Sequence, residues 1–343
     1  MTQAIKFSRR SMLFMPLALA ACKPSAAAFT LTGLTMGTSY NVIVVDAPRQ
    51  VTAADAQRAV DGALVTVNKQ MSNWDAGSEV AAFNGAQHTS PHAVSPEFSE
   101  VMLAAADVHG ASGGAFDTTM GPLIELWGFG ADSKPKNLPT DADILTAKAR
   151  AGHANTLQVG NGYLQKQQPD AQIYLSAIGK GFGADLIGRE LEAIGVTDYM
   201  VEIGGDLYAA GRNEAGVPWQ IGVETPSPSA REAFRVVGVS DLGMASSGDY
   251  RNYFEQDGQR YSHLIDPRNG RPVAHKTASA TVLSDNAMLA DAWATAFLIL
   301  GREEGLALAE EQNLAVMFTD RDAASGVSGF KSVASTRFNE LTA

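Results

Sequence analysis

The stretch QIYLSAIGKGFGADLIGRELEAIGVTDYMVEIGGDLYAAG, residues 172–211, decides how the rest of the chain is read. QIYL reads as a strand running into the glycine-rich start of a helix that Gly195 ends. YMVEIGGDLYAAG then reads as strand, Gly-Gly-Asp turn, strand. Gly179, Gly181 and Gly183 do not fit the G-x-G-x-x-G spacing of a dinucleotide fold, and no Walker lysine pattern is present. Free N–H groups at such a helix start favour anions, and Lys180 adds positive charge. The same glycines would equally serve close helix–sheet packing.

Outward from this stretch, strands and helices continue to mix. FTLTGLTMGTSYNVIVV reads as two strands about a TMGT turn. Thr52 caps a helix whose Val60, Leu64, Val67 and Met71 share one face, and Ser95-Pro96 opens another, ended by Gly110. A short helix runs from Asp141 to about Ala151, followed by a hairpin in TLQVGNGYLQ. Strands continue to about residue 283, then a long apolar helix, the separate helix GREEGLALAEEQN, and the strand LAVMFTD. ETPSPSARE, residues 224–232, reads as an exposed loop and not a boundary. The expectation is one mixed α+β domain over residues 29–343, with several strands and hairpins packed by helices.

Composition is that of an ordinary globular protein: 343 residues, 45% hydrophobic, 18% charged, and 33 glycines for turns. The net charge of −11 argues against general nucleic-acid binding, which needs a basic face, and implies that a phosphate ligand needs a metal to offset its charge. Residues 1–21 read as a signal peptide: Lys6, Arg9 and Arg10 precede an apolar run from Met12 to Ala21 that is too short for a transmembrane span. SRRSMLF resembles a twin-arginine export signal, and LAAC resembles a lipobox ending at Cys22, with residues 22–28 as a tether. Loss of this leader removes three positive charges, taking −11 to −14. Cys22 is the only cysteine, so there is no disulfide, cysteine-based zinc site or cysteine nucleophile. The expected location is periplasmic, anchored to the membrane by lipid on Cys22.

Three places carry candidate chemistry. In NAMLADAWATAFLIL, residues 286–300, Asp291 sits in an apolar helix with Thr295 one turn on, on the same face. A buried carboxylate needs a partner or an ion. A carboxylate with a hydroxyl suits a hard cation such as Mg2+, an Asp–Thr hydrogen bond in a core is the alternative, and a solvent-facing Asp291 is a third. In SHLIDPRNG, residues 262–270, His263 ends a strand just before a turn and is either a packed side chain or a base. Trp74, Phe116, Asp117, Trp127 and Phe129 lie in glycine-containing stretches that either wall a planar ligand or fill a core.

In order, TMGT, MSNWDAGSEVAAFN, GAFDTTMGPLIELWGFG, LSAIGKGFGAD, EIGGDLYAAG, HLIDPRNGRP and DAWAT resemble the successive motifs of the ApbE-type FAD:protein FMN transferases, over nearly all of the mature chain. That resemblance implies FAD as substrate, Mg2+ as metal, transfer of FMN to a Thr or Ser hydroxyl of an acceptor flavoprotein domain in a membrane-associated redox complex, and release of AMP. It implies Mg2+ on Asp291 and Thr295, with the backbone oxygens of Ala177 and Ala294. Met36, Trp74, Ala115, Phe116, Asp117, Lys180 and Ile265 match positions lining the FAD site, and His263 matches the histidine that deprotonates the acceptor. Many members carry Asp where this chain has Tyr174, which puts the contact with FAD at that position in question. The alternatives are a Mg2+-dependent FAD pyrophosphatase giving FMN and AMP, and a non-catalytic flavin-binding lipoprotein. The twin-arginine-like signal also suggests a branch serving nitrous oxide reductase.

Cys22→Ser in the full-length chain is expected to move the protein from the membrane fraction to the soluble exported fraction, with loss of lipid mass by intact mass spectrometry. Unchanged membrane retention would remove the lipid-anchor reading.

Overall fold

A computed structural model describes residues 28–130, 138–227, 232–322, 324 and 329–343. The leader, Cys22 and the start of the tether lie outside the described residues. Eight strands form one antiparallel sheet whose spatial order follows chain order. They are β1 (Phe29–Thr35), β2 (Thr38–Asp46), β3 (Asp198–Ile203), β4 (Asp206–Ala210), β5 (Leu242–Gly248), β6 (Thr277–Ser284), β7 (Ala315–Arg321) and β8 (Phe330–Ala334). The functional segments are excursions between neighbouring strands. β1 and β2 turn through Met36 and Gly37, both at positive φ.

Side-chain alternation gives the sheet two apolar faces. Tyr199, Val201, Ile203 and Ala245 point to a helix layer, whereas Leu207, Ala209, Met244 and Met317 point to the other side. The helix layer holds α1 (Ala53–Met71), α2 (Pro96–Ala111), α3 (Gly179–Ala193) and α4 (Ala287–Glu311). The other face is covered by the hairpin Trp219–Glu224/Ala233–Val239 and by Phe338. A third cluster gathers Met120, Leu123, Trp127, Ile144 and Ile265 beside the sheet. The architecture is therefore α+β. Among the described residues no helix is long and apolar enough to cross a membrane.

The helix starts follow the sequence. Thr52 and Ser95 accept hydrogen bonds from the backbone of the turns they open, and Val60, Leu64, Val67 and Met71 are buried. α2 runs one residue past Gly110 before Gly113 and Gly114 turn the chain at positive φ. One expectation changes. QIYL joins no sheet: the side chains of Asn73 and Asn84 donate to Ile173 O at 2.7 and 2.9 Å and accept from Leu175 N and Ile173 N, and Tyr174 N donates to Thr118 O at 2.8 Å. The long apolar helix and GREEGLALAEEQN are two helical segments, as the sequence divides them: both fall within α4, which kinks at Gly301 (φ 73°, ψ 173°), where the ring of His275 fills the space beside the glycine.

The start of α4 lies directly on glycines. A Cβ on Gly181 of α3 would sit 2.1 Å from Ala287 O, and one on Gly243 of β5 would sit 2.2 Å from Asn286 C. Asp185 accepts from Ala287 N and Met288 N at 2.8 Å each, and Asn286 caps the helix by accepting from Leu289 N. Gly243→Ala is expected to cost about 1–3 kcal/mol, because backbone has to move to admit the methyl. Urea denaturation would show it, and wild-type stability would mean that α4 shifts freely.

Candidate active site

A cleft of about 570 Å³ opens between the third cluster and the edge of the helix layer. Of the thirteen residues that the family resemblance brings up, eleven line it: Trp74, Ala115, Phe116, Asp117, Tyr174, Ala177, Lys180, His263, Ile265, Asp291 and Thr295. Phe129 lines it too, whereas Trp127 packs in the third cluster. Met36 and Ala294 do not line it. Met36 packs against the core beside Gly183 and Ile203, and Ala294 is 1% exposed within the core cluster.

At the helix end of the cleft, charges are concentrated. Lys180 Nζ lies 2.5 Å from Asp206 Oδ2 and 3.5 Å from Asp291 Oδ2, and Gly181 N donates to Asp291 Oδ2 at 3.2 Å. Both aspartates are buried. Burial pushes the Asp206 carboxyl up and the neighbouring Asp291 charge adds to this, against the opposing pull of Lys180. Burial alone would lower the Lys180 ammonium, but the two carboxylates outweigh it and hold it above its ordinary value. Once Asp206, pushed up to about 7, is ionised, two carboxylates face one ammonium and the group carries a buried excess of negative charge. Thr295, one turn beyond Asp291, shares a hydrogen bond of 3.1 Å with Ser247 of β5. Among the described residues no three His, Cys, Asp or Glu side chains converge, so a cation here would draw on hydroxyl, carbonyl or ligand oxygens.

On the facing wall, Asp117 accepts from Thr119 N (2.7 Å), Thr119 Oγ1 (2.6 Å) and His153 N (2.9 Å). It fixes the backbone that presents Ala115 and Phe116. Trp74 is 76% exposed, leaving its ring face open. The ring of Tyr174 lies against Gly121, where a Cβ would come within 2.2 Å, and its hydroxyl is 3.2 Å from both Glu125 Oε1 and Gln172 Oε1.

His263 follows the strand Gln259–Ser262. Its Nδ1 lies 2.9 Å from Asn252 O. A carbonyl only accepts, so neutral His263 carries its hydrogen on Nδ1 and leaves Nε2 with a free lone pair. Burial lowers its pKa below the ordinary 6.5, partly countered by that carbonyl and by Asp249. The turn after it is held from the third cluster, where Trp127 Nε1 donates to Gly270 O at 2.8 Å.

Sequence reasoning did not single out Asp206, Ser247 or Asn252. A carboxylate directly after the glycine pair Gly204-Gly205, both at positive φ, was the available signal for Asp206. Ser247 emerges only from the register of β5 against α4, and Asn252 acts through its carbonyl, which no side-chain pattern betrays.

Residues 36–318 match the family model described as the ApbE family. The chain belongs to that family. It is 41% identical to an FAD:protein FMN transferase of Vibrio cholerae over 94% of this chain and 95% of the relative. It is 38% identical to one of Haemophilus influenzae over 96% and 95%. Among solved ApbE structures, the flavin transferase ApbE of Vibrio cholerae superposes with a TM-score of 0.82 at 38% identity, covering 92% of this chain and 99% of that one. The apo flavinyl transferase ApbE of Pseudomonas stutzeri gives 0.82 at 35% identity, covering 92% and 97%.

Lys180→Gln is expected to destabilise the fold by about 3 kcal/mol, since it leaves two buried carboxylates without their counter-charge. The loss should shrink as pH falls, because protonating the raised Asp206 carboxyl relieves the repulsion. Denaturation midpoints across pH would test this, and a pH-independent loss would count against charge as the cause.

Proposed function

We propose that this chain transfers the FMN half of FAD to a threonine or serine hydroxyl of an acceptor protein, with AMP as the leaving group. The observation that carries the reading is a single cleft holding both an imidazole with a free Nε2 and the Asp291–Thr295–Ser247 oxygen group beside Lys180. The names of the relatives support it.

In this reading the isoalloxazine packs against the apolar wall and Trp74, and the pyrophosphate lies toward Lys180. His263 Nε2 takes the proton of the acceptor hydroxyl. The hydroxyl oxygen attacks the phosphorus on the FMN side, the anhydride P–O bond breaks, and its electron pair leaves with AMP. The oxygen donors fit Mg2+, which is commonly held by one or two carboxylates together with substrate phosphates. Asp291 and Thr295 would hold it, with the backbone oxygen of Ala177, whereas Ala294 is packed in the core. When bound, the metal neutralises phosphate charge that an acidic chain otherwise repels. The leader and LAAC motif support an exported, lipid-anchored protein, whose acceptor would then be a redox protein at the same membrane.

The test incubates the mature chain with FAD and Mg2+, with and without an acceptor domain, and measures AMP and protein-bound FMN. Bound FMN is expected only with acceptor, and is expected to be lost with EDTA, in Asp291→Ala and in His263→Ala, each by at least about 10²-fold. AMP and free FMN without acceptor would make the chain a pyrophosphatase, and FAD binding without AMP would make it a carrier. A lowered His263 pKa keeps the base neutral to lower pH. The acid limb of kcat/KM should therefore lie below the ordinary histidine value of 6.5, and a limb at or above that value would count against His263 as the base.

A further inference from the structure

The loop leaving β5 runs Gly248-Asp249-Tyr250-Arg251-Asn252. Every residue of it but Asp249 borders the cleft. Asp249 is 4% exposed and is gripped from two other elements. Arg260, on the strand leading to His263, donates Nη1 to Asp249 Oδ2 at 2.7 Å and Nη2 to Asp249 O. Arg321, at the end of β7, donates Nη1 to Oδ2 at 3.0 Å and Nη2 to Oδ1. The Asp249 N–H donates to Ala278 O of β6 at 3.1 Å, and the Arg260 guanidinium lies 4.1 Å from the centre of the Tyr253 ring.

This pinned residue lies between two contacts of the site. Two residues earlier, Ser247 holds Thr295. Three residues later, Asn252 O accepts both the backbone N–H of His263, at 3.1 Å, and its Nδ1–H, at 2.9 Å. Arg260 stands three residues before His263 on the same strand. The buried carboxylate thus ties the loop that carries the Asn252 carbonyl to the strand that leads to His263, and fixes both to the sheet through Arg321. Buried, charge-assisted and bidentate, such contacts hold geometry more firmly than neutral ones.

We propose that Asp249, with Arg260 and Arg321, is a positioning group for the transfer reaction. It holds the loop so that the Asn252 carbonyl keeps His263 in its Nδ1–H tautomer, with Nε2 free for the acceptor hydroxyl. The proposal rests on the reading of His263 as the base. Asp249 itself touches neither FAD nor acceptor.

Asp249→Asn keeps the shape and one acceptor oxygen while losing the charge. Arg321→Gln leaves the Asp249–Arg260 pair in place, should the first variant not fold, and Arg260→Lys keeps the charge without the fork. In the mature chain with FAD, Mg2+ and acceptor, Asp249→Asn and Arg321→Gln are expected to lower kcat about 10–100-fold with KM for FAD within about twofold, and Arg260→Lys to lie between them and wild type. Long-range 1H–15N spectra, with the His263 signals assigned by their loss in His263→Gln, should move from the Nδ1–H pattern toward a mixture of tautomers. A lower melting temperature with unchanged kcat and tautomer would overturn the proposal and leave a structural strut, and KM rising as kcat falls would overturn it as general damage to the cleft. The tautomer arm does not depend on activity. An inert wild type whose His263 tautomer still responds to Asp249→Asn would put the failure in the transferase reading, whereas an unresponsive tautomer in an active wild type would put it here.

Discussion

The rest of the structure depends on the contact of α4 with two glycines. Gly181 and Gly243 let the first residues of α4 lie on the backbones of α3 and β5, closer than any Cβ permits. Asp185 and Asn286 then satisfy the N–H groups which that burial would orphan. α4 has little freedom to slide or rotate once seated. Because of this, Asp291 and Thr295 come to face Lys180 and Ser247, and the apolar first half of α4 carries one polar edge into a cleft.

Charge then shapes the cleft. A buried Asp206–Lys180–Asp291 group is costly to assemble, since each ion loses water. Its excess negative charge and its neighbouring hydroxyls suit a cation that arrives with a phosphate ligand. The opposite wall has a different character: Asp117 spends its oxygens on Thr119 and on the backbone of His153, which leaves that wall largely apolar, with Trp74 exposed at its rim. One side suits phosphate and metal and the other a flat ring, as an acidic protein handling an acidic dinucleotide needs.

Much of the fold was legible in local pattern. Caps at Thr52 and Ser95, the Met36-Gly37 turn and the Gly204-Gly205 turn follow from residue chemistry within a few positions. QIYL forms no strand because most of its hydrogen-bond partners are asparagine side chains about a hundred residues away, with one backbone bond to Thr118 O, and a β-rich tetrapeptide does not reveal what will pair with it. The division between the two helical segments at Gly301 was legible, because a glycine there takes non-helical dihedrals and leaves room for the ring of His275.

The sequence by itself determined the alternation that makes the sheet two-faced, the helix ends, the unusual Asp in an apolar helix, the histidine before its turn, and the ordered motifs of the ApbE family. These are local or linear properties, set by backbone preference and by the spacing of side chains. Only the tertiary structure decided that Asp291 meets Lys180, that Ser247 meets Thr295, that Met36 turns to the core, and that a backbone carbonyl at Asn252 sets the tautomer of His263. Those contacts join residues brought together by strand register and helix seating, and their energy depends on burial and on distances of a few ångströms that no single stretch of chain encodes.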